Sequence, residues 1–180
     1  MKTAIFIVLT QAVIAQALVP ADYVQAHNNE RRNVSPSAAN MKEMKWDDSL
    51  ANIAQSWVSQ CIFGHNPSPT GSRFSNVGEN VYVASFTPSA SSVVSYWASE
   101  SSDYSYSNNY CFGRCGHYTQ VVWADSEYLG CAENPNCSGK TLVVCNYGPA
   151  GNFNNQRPYI SGPSCSQCPS GYTCNNGLCQ

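Results

Sequence analysis

Residues 141–147 read Thr-Leu-Val-Val-Cys-Asn-Tyr, a short run of apolar and β-branched side chains. Turn-forming residues border this run on both sides, with Gly139 before it and Gly148-Pro149 after it. A short apolar run between turn residues is typical of a buried strand. The segment just upstream, Leu129 to Glu133, is its expected partner strand.

Helical patterns lie upstream of these strands. In residues 48–60 apolar side chains recur at helical spacing, and Asp47 or Asp48 can cap the start. The recurring residues are Leu50, Ile53, Ala54, Trp57 and Val58. We also expect a helix over 21–32 and a third helix that begins at Pro88. Helices followed mainly by strands predict an α+β fold built in layers.

Residues 1–17 have the features of a secretory signal peptide. A positive start and an apolar stretch precede the small-x-small ending Ala15-Gln16-Ala17, so we expect cleavage after Ala17. A membrane anchor is the alternative, but this stretch is shorter than the roughly 20 apolar residues that span a bilayer. No later segment is apolar enough to span one. We therefore expect a secreted, extracellular protein with no transmembrane segment.

All ten cysteines follow the predicted signal peptide. An even number of cysteines in an oxidising compartment predicts a disulfide framework. A zinc cluster at Cys165-x-x-Cys168 is the weaker alternative, because exported thiol pairs normally oxidise. Residues 18–160 fit one domain of ordinary size. Residues 161–180 hold four cysteines and almost no aliphatic residue, so we expect a tail held by two bridges without a core.

The composition argues against several functions. Charged residues make up 11% of the chain, where roughly 25% is usual, and the formal net charge is −2. There is no basic patch, so nucleic acid is not an expected partner. There is also no Gly-x-Ser-x-Gly motif, and cysteines in bridges cannot act as nucleophiles. We therefore favour a binding protein over an enzyme.

Two histidines and two glutamates are candidate metal ligands: His65, Glu79, Glu100 and His117. Both histidines follow a glycine in loop-like sequence. Glu79 follows Gly78, which would let the backbone turn tightly, and Glu100 would lie on the third helix. Imidazole and carboxylate ligands together suit zinc. Separate structural roles for the four residues are the alternative that their spacing leaves open.

Two other features have structural and functional interpretations. His27 and Arg31 fall within the first helix, where we expect a packed histidine and a salt-bridged arginine. The segment from Asp103 to Phe112 is rich in aromatic residues, namely Tyr104, Tyr106, Tyr110 and Phe112. Such a segment is either an aromatic-lined ligand groove or an ordinary tyrosine-rich surface.

Four segments together resemble the CAP superfamily of cysteine-rich secretory proteins, insect antigen-five allergens and plant pathogenesis-related proteins of class one. The segments are Gly116-His-Tyr-Thr-Gln-Val-Val-Trp123, Leu142 to Phe153, His27-Asn28-x-x-Arg31 and Gly78-Glu79-Asn80. The resemblance covers about residues 20–160. It implies an α-β-α sandwich with a small antiparallel sheet between helices. It also implies that the four candidate ligands line one cavity able to hold a divalent cation such as zinc.

The resemblance further implies how the cysteines pair. The plant-type pattern implies Cys61–Cys137, Cys111–Cys115 and Cys131–Cys145. The tail resembles the hinge of cysteine-rich secretory proteins, which implies Cys165–Cys174 and Cys168–Cys179.

Three functions follow from the residues and the resemblance. We favour a secreted, monomeric protein that binds a sterol, a fatty acid or an extracellular protein partner. This expectation rests on sterol-binding relatives, which carry an aromatic loop just before the Gly-His signature, at the position of Tyr104 to Phe112. The alternatives are a metal-dependent hydrolase, protease or esterase-like, using the His/Glu cavity, and a module that acts only through its surface. A Cys111–Cys115 bridge would tighten the aromatic loop and restrict ligand entry.

Overall fold

The computed structural model describes residues 18–180, so the predicted signal peptide lies outside the described residues. The helices are α1 (Pro20–Arg32), α2 (Asp48–Val58), α3 (Ala90–Ala98) and α4 (Gly116–Val121), and a 3-10 helix (Ser99–Asp103) follows α3. The strands are β1 (Lys45–Trp46), β2 (Gly78–Ala84), β3 (Tyr104–Ser105), β4 (Tyr110–Cys111), β5 (Tyr128–Cys137), β6 (Lys140–Gly148), β7 (Cys174–Asn175) and β8 (Leu178–Cys179). Within residues 18–180 no helix is long and apolar enough to cross a membrane.

A four-stranded sheet separates two apolar cores. Its order is β1-β5-β6-β2, with β6 antiparallel to both of its neighbours and β1 parallel to β5. Helix α2 packs Ala54 and Val58 on one face, against Leu142 and Val144 of β6. On the other face α1, α3 and α4 enclose a larger core around Trp97. Side chains alternate between the two faces of a strand, so β6 contributes to both cores. The predicted α-β-α sandwich is confirmed.

Several element boundaries differ from the predictions. Helix α3 begins at Ala90 instead of Pro88, because the Ser89 hydroxyl accepts the Ser92 N–H at 3.2 Å and caps the helix there. Helix α2 ends at Val58, short of residue 60. Glu100 lies in the 3-10 helix that follows α3. Strand β2 was not predicted, since its Gly-Glu-Asn start resembles a turn.

Gly78 has a different role from the tight turn that we expected. It lies within β2, where it pairs with Tyr147 of β6. A Cβ at this position would collide with the Gln120 side chain. Gln120 needs that space because its Oε1 accepts the Gly151 N–H at 3.0 Å. The glycine therefore allows α4 to approach the sheet closely.

The tail is docked on the domain and contributes to its core. As expected, two bridges hold the tail, and in addition Leu178 is fully buried in the larger core of the domain. The Cys179 N–H donates to Met41 O at 2.8 Å, and the Glu43 N–H donates to Cys179 O at 2.9 Å. Five disulfides are present, with the pairing that the resemblance implied: Cys61–Cys137, Cys111–Cys115, Cys131–Cys145, Cys165–Cys174 and Cys168–Cys179. The alternative zinc cluster at Cys165 and Cys168 is wrong, because both sulfurs are in bridges.

Candidate functional site

The first of two His–Glu pairs lies at the start of α4. His117 is in the helix and not in a loop, and its Nδ1–H donates to Glu100 Oε1 at 2.7 Å. The Glu100 carboxylate also accepts the backbone N–H groups of His117 at 2.9 Å and Tyr118 at 3.3 Å. These N–H groups have no partner inside the helix, so the carboxylate caps α4. Glu100 thus fixes both the helix start and the His117 ring.

The second pair joins the loop after α2 to strand β2. The His65 Nδ1–H donates to Glu79 Oε1 at 2.9 Å, and the Asn66 N–H donates to the same oxygen at 2.9 Å. The Glu79 side chain is 7% exposed, whereas the His65 ring is 65% exposed. Burial raises the pKa of the Glu79 carboxyl, against the lowering effect of its bonds to Asn66 and His65. The Asn146 amide lies next to the carboxylate, and in the amide orientation that satisfies both of its polar atoms its Nδ2 donates to Glu79 Oε2 at 3.2 Å.

The four candidate ligands form two hydrogen-bonded His–Glu pairs. Within residues 18–180, no three of them bring a ligand atom within 4.8 Å of one another. In each pair the glutamate holds the ring through Nδ1, and neither Nε2 atom has a hydrogen bond to a described residue. A carboxylate that holds a histidine by Nδ1 leaves Nε2 as the atom that can bind a metal. The atoms available to ligate a metal are therefore the Nε2 atoms of His65 and His117.

A buried chain of hydrogen bonds connects the His117 segment to α1. Asn80 Nδ2 donates to His117 O and to the Tyr147 hydroxyl, both at 3.1 Å. The Tyr147 O–H donates to His27 Nε2 at 2.8 Å, because the other ring nitrogen donates to Tyr23 O. Burial, aided by the nearby Arg31 charge, lowers the pKa of His27 to about 4. His27 is thus a packed, neutral structural residue, as expected.

Arg31 makes no salt bridge with any described residue, which corrects the sequence prediction. The fully buried guanidinium instead donates to the backbone carbonyls of Lys42, Val121, Trp123 and Ala124 at 2.7 to 3.2 Å. Burial lowers its pKa to about 9. All of its hydrogen bonds to described residues go to backbone carbonyls, so Arg31 fastens α1 to the segment that follows α4.

The aromatic segment divides into a packed half and an exposed half. Tyr104 and Tyr106 are half-buried, and the Tyr106 ring stacks on Tyr159 with a centroid distance of 4.8 Å. Tyr110 and Phe112 are 57% and 73% exposed and contact each other edge to face. The Cys111–Cys115 disulfide ties this hairpin to the start of α4.

Two adjoining cavities lie beside the packed half. The larger, about 750 Å³, is bordered by Tyr106 and Trp123 and by residues 156–161. The smaller, about 310 Å³, is bordered by Tyr104, the Cys111–Cys115 bridge and residues 152–156. Trp123 and Gln156 line both, and we call the two adjoining cavities together the groove. Tyr110 and Phe112 line neither cavity.

Of the residues that line the larger cavity, sequence reasoning named only Tyr106 as a ligand-binding residue, and it missed Trp123, Arg157 and Tyr159 among others. Trp123 ends a recognised motif, and Tyr159 lies next to the predicted domain boundary at residues 160 and 161. In the sequence, Trp123 and Tyr159 are distinguished only by being aromatic, and aromatic character does not show that a side chain faces a cavity. Arg157 carried no local signal.

Comparisons with known proteins give a consistent result. The family model described as "Cysteine-rich secretory protein family" (CAP) matches residues 24–147. The chain is 44% identical over 169 residues to GLIPR1-like protein 1 of Homo sapiens, covering 87% of this chain and 69% of that protein. It is 46% identical over 160 residues to glioma pathogenesis-related protein 1 of Mus musculus, covering 87% of this chain and 62% of that protein. The crystal structure of NaASP2 with Zn2+ superposes with a TM-score of 0.74 at 29% identity, covering 89% of this chain and 94% of that chain.

Proposed function

This chain belongs to the cysteine-rich secretory protein (CAP) family, and from that premise we propose that it is a secreted binding protein for a small hydrophobic ligand, a sterol or a fatty acid. One observation carries the proposal, namely the groove between the Tyr104–Cys111 hairpin and residues 152–161. The larger cavity of about 750 Å³ falls within the roughly 300–1,000 Å³ that is usual for small-molecule sites. The signal-like sequence of residues 1–17 and the five disulfides support secretion.

The lining of the groove favours a fatty acid over a sterol. The aromatic rings of Tyr106, Trp123 and Tyr159 offer apolar contact surface. Two charged residues border the larger cavity, Asp125 and Arg157. The Asp125 carboxylate is paired with Lys42 Nζ at 2.9 Å, whereas Arg157 has no salt bridge to a described residue. Its Nε and one terminal nitrogen donate to the Tyr106 and Ser107 carbonyls, at 3.0 and 2.7 Å, which leaves donors for a carboxylate. A sterol has no anionic group that could form an ion pair with the Arg157 guanidinium.

The His/Glu pairs add a proposed site for a divalent cation. His65 and His117 would offer Nε2 to Zn²⁺, while Glu79 and Glu100 hold the rings. NaASP2, a structural relative, has been solved with Zn2+. Two imidazoles and an open coordination sphere suit an exchangeable cation. The cation would supply a positive charge and a Lewis acid beside His65 and His117.

A metal-dependent hydrolase is the less favoured alternative. Catalytic zinc sites normally use three protein ligands and one water. Here the carboxylates of Glu79 and Glu100 already accept N–H groups. In these two described pairs only the Nε2 atoms of His65 and His117 remain as metal ligands. The double variant His65→Ala/His117→Ala tests this function, since metal-dependent peptide or ester hydrolysis that it abolishes would favour the enzyme.

An extracellular protein partner remains the second candidate for binding. Tyr110 and Phe112 support it, because they form an exposed aromatic pair outside the groove. Aromatic residues are enriched at the centres of protein interfaces.

Ligand content tests the main proposal directly. We expect mass spectrometry of an organic extract of the secreted protein to find a bound fatty acid, and calorimetry to detect uptake by the stripped protein. Ile160→Asp places a negative charge at the rim of the cavity, where Ile160 is 47% exposed, and should weaken binding at least tenfold. The matched control is Ile62→Asp, at a residue that is 45% exposed and outside the groove.

The outcomes distinguish the ligand classes. Loss of fatty-acid binding in Arg157→Gln identifies the carboxylate as the recognised head. Sterol uptake that Arg157→Gln leaves unchanged would favour a sterol. An empty extract and no uptake of either lipid would refute the binding proposal. Equal weakening by Ile160→Asp and Ile62→Asp would show that the groove is not the site.

A further inference from the structure

The two disulfides of the tail lie against each other. The Sγ atoms of Cys165, Cys168 and Cys179 are all within 4.8 Å of one another, although they belong to two different bridges. Among residues 18–180 no other disulfide takes part in such a group. A thiolate released at Cys165 would therefore already adjoin the Cys168–Cys179 bridge.

The same geometry permits a second pairing of the four cysteines. Cys165 and Cys168 have neighbouring sulfurs. Cys174 and Cys179 are direct partners across the antiparallel strands β7 and β8. Cβ atoms of such partners lie about 4.5–5.5 Å apart, close to the roughly 3.5–4.5 Å of a disulfide. The Cys174–Cys179 bridge would thus need its two strands to approach by about 1 Å.

We propose that the tail is a thiol–disulfide exchange site whose reaction partner is a small monothiol of the glutathione class. The Cys174 residue is exposed, so the incoming thiolate attacks its sulfur. A mixed disulfide forms there, the Cys165–Cys174 bond breaks, and its electron pair leaves on Cys165.

Two further displacements complete the exchange. The Cys165 thiolate attacks Cys168 Sγ, which forms Cys165–Cys168 and releases Cys179 as a thiolate. Cys179 then attacks the Cys174 sulfur of the mixed disulfide, which forms Cys174–Cys179 and returns the small thiolate. Each step forms one S–S bond and breaks one. The net reaction is an isomerisation without oxidation or reduction, and the small thiol is its catalyst.

The exchange would change how the tail is held. In the observed pairing each bridge joins residues 165–168 to residues 174–179. In the exchanged pairing each bridge lies within one of these halves. The second half is anchored by the buried Leu178, whereas the Gln167 N–H ties the first half to Ala39 O at 2.9 Å. The first half would lose both disulfide links to the anchored half and stay joined to it only through the backbone of residues 169–173.

Peptide mapping tests the proposal on the intact chain. The protein is incubated with reduced and oxidised glutathione, free thiols are blocked with N-ethylmaleimide, and chymotrypsin cuts after Tyr172. In the observed pairing the two halves stay linked, while in the exchanged pairing they separate as two peptides with internal disulfides. We expect separated peptides, at a rate that rises about tenfold from pH 6.5 to 7.5, because the thiolate is the nucleophile.

Two controls isolate the role of the neighbouring bridge. Cys111–Cys115 has no third sulfur nearby and should yield only glutathione adducts or free thiols. The double variant Cys168→Ser/Cys179→Ser removes the acceptor bridge, so the reaction should stop at the Cys174 adduct or return to Cys165–Cys174, and no separated peptides should form. Wild-type protein decides the proposal by itself. A Cys165–Cys174 bridge that stays closed, or opens only to a persistent adduct, overturns it.

Discussion

Glu100→Gln should weaken both zinc binding and the fold, because one carboxylate serves both. Glu100 is 9% exposed and accepts three N–H groups, from His117 Nδ1 and from the His117 and Tyr118 backbone. Glutamine keeps one acceptor oxygen and places an NH₂ group against the remaining donors. A hydrogen bond to a charged group contributes about 1.5–3 kcal/mol, and an uncharged side chain costs less to bury.

The expected net loss in the free energy of unfolding is about 2 kcal/mol. In a domain of this size it lowers Tm by about 4–8 °C, which calorimetry measures. Zinc affinity, measured by isothermal titration, should fall about 10–100-fold, as is usual when the group that orients a ligating histidine is removed. Glu30→Gln is the matched control, since Glu30 has only a 3.5 Å contact from Ser95 Oγ and does not contact His117.

Two results would refute this reasoning. If Glu100→Gln binds zinc within twofold of wild type while His117→Ala does not bind it, then Glu100 does not position the ring. If the wild-type chain itself binds no zinc, then the proposed cation site is wrong. Equal effects of Glu100→Gln and Glu30→Gln would indicate a general charge effect.

Three further predictions concern stability. Because burial lowers the pKa of His27 to about 4 while the unfolded chain takes up the proton near 6.5, the free energy of unfolding should fall by about 3 kcal/mol as the pH falls from 6.5 to 4. Urea titrations measure this slope, and an unchanged slope in His27→Gln would contradict it. Leu178→Ala should lower the free energy of unfolding, measured in urea, by about 2–5 kcal/mol. The control Ile62→Ala, at an exposed residue, should lower it by less than about 1 kcal/mol. Equal losses in the two variants would show that the tail is not part of the core. Gly130→Ala places a Cβ 2.6 Å from Asp47 O, so it should lower the free energy of unfolding by about 3 kcal/mol. Gly64→Ala is the control, because the space around Gly64 is open and no such loss is expected. Similar Tm values for the two variants would contradict the close packing of α2 against Gly130.

Local sequence was sufficient for most of the fold. The apolar run at 141–147 predicted β6, and the helical spacing from Leu50 to Val58 predicted α2, because burial on one face imposes a period that the sequence displays. Strand β2 was missed because its second and third residues, Glu79 and Asn80, are polar. Their side chains bond to other polar groups in the folded protein, and a local sequence pattern does not show these partners. The start of α3 was placed two residues early, because both Thr87 and Ser89 can cap a helix, and only the backbone path selects Ser89.

The candidate site was predictable in its residue types but not in its arrangement. His65, Glu79, Glu100 and His117 were all named from the sequence, as one set of ligands. In the structure they form two hydrogen-bonded His–Glu pairs, with each glutamate engaged by N–H groups. A sequence shows which side chains can donate or accept, whereas the direction of each Nδ1 and Nε2 follows from neighbours distant in the chain.

The sequence by itself determined the layered α+β class, the even set of cysteines and the chemistry available to each residue. These properties follow from composition and short-range periodicity, which every segment carries with it. Tertiary structure alone decided that Tyr106 meets Tyr159 beside a cavity, that Arg31 donates to backbone carbonyl groups, and that three tail sulfurs lie within 4.8 Å. Such contacts join segments far apart in the chain, and they form only when burial of the shared core brings those segments together.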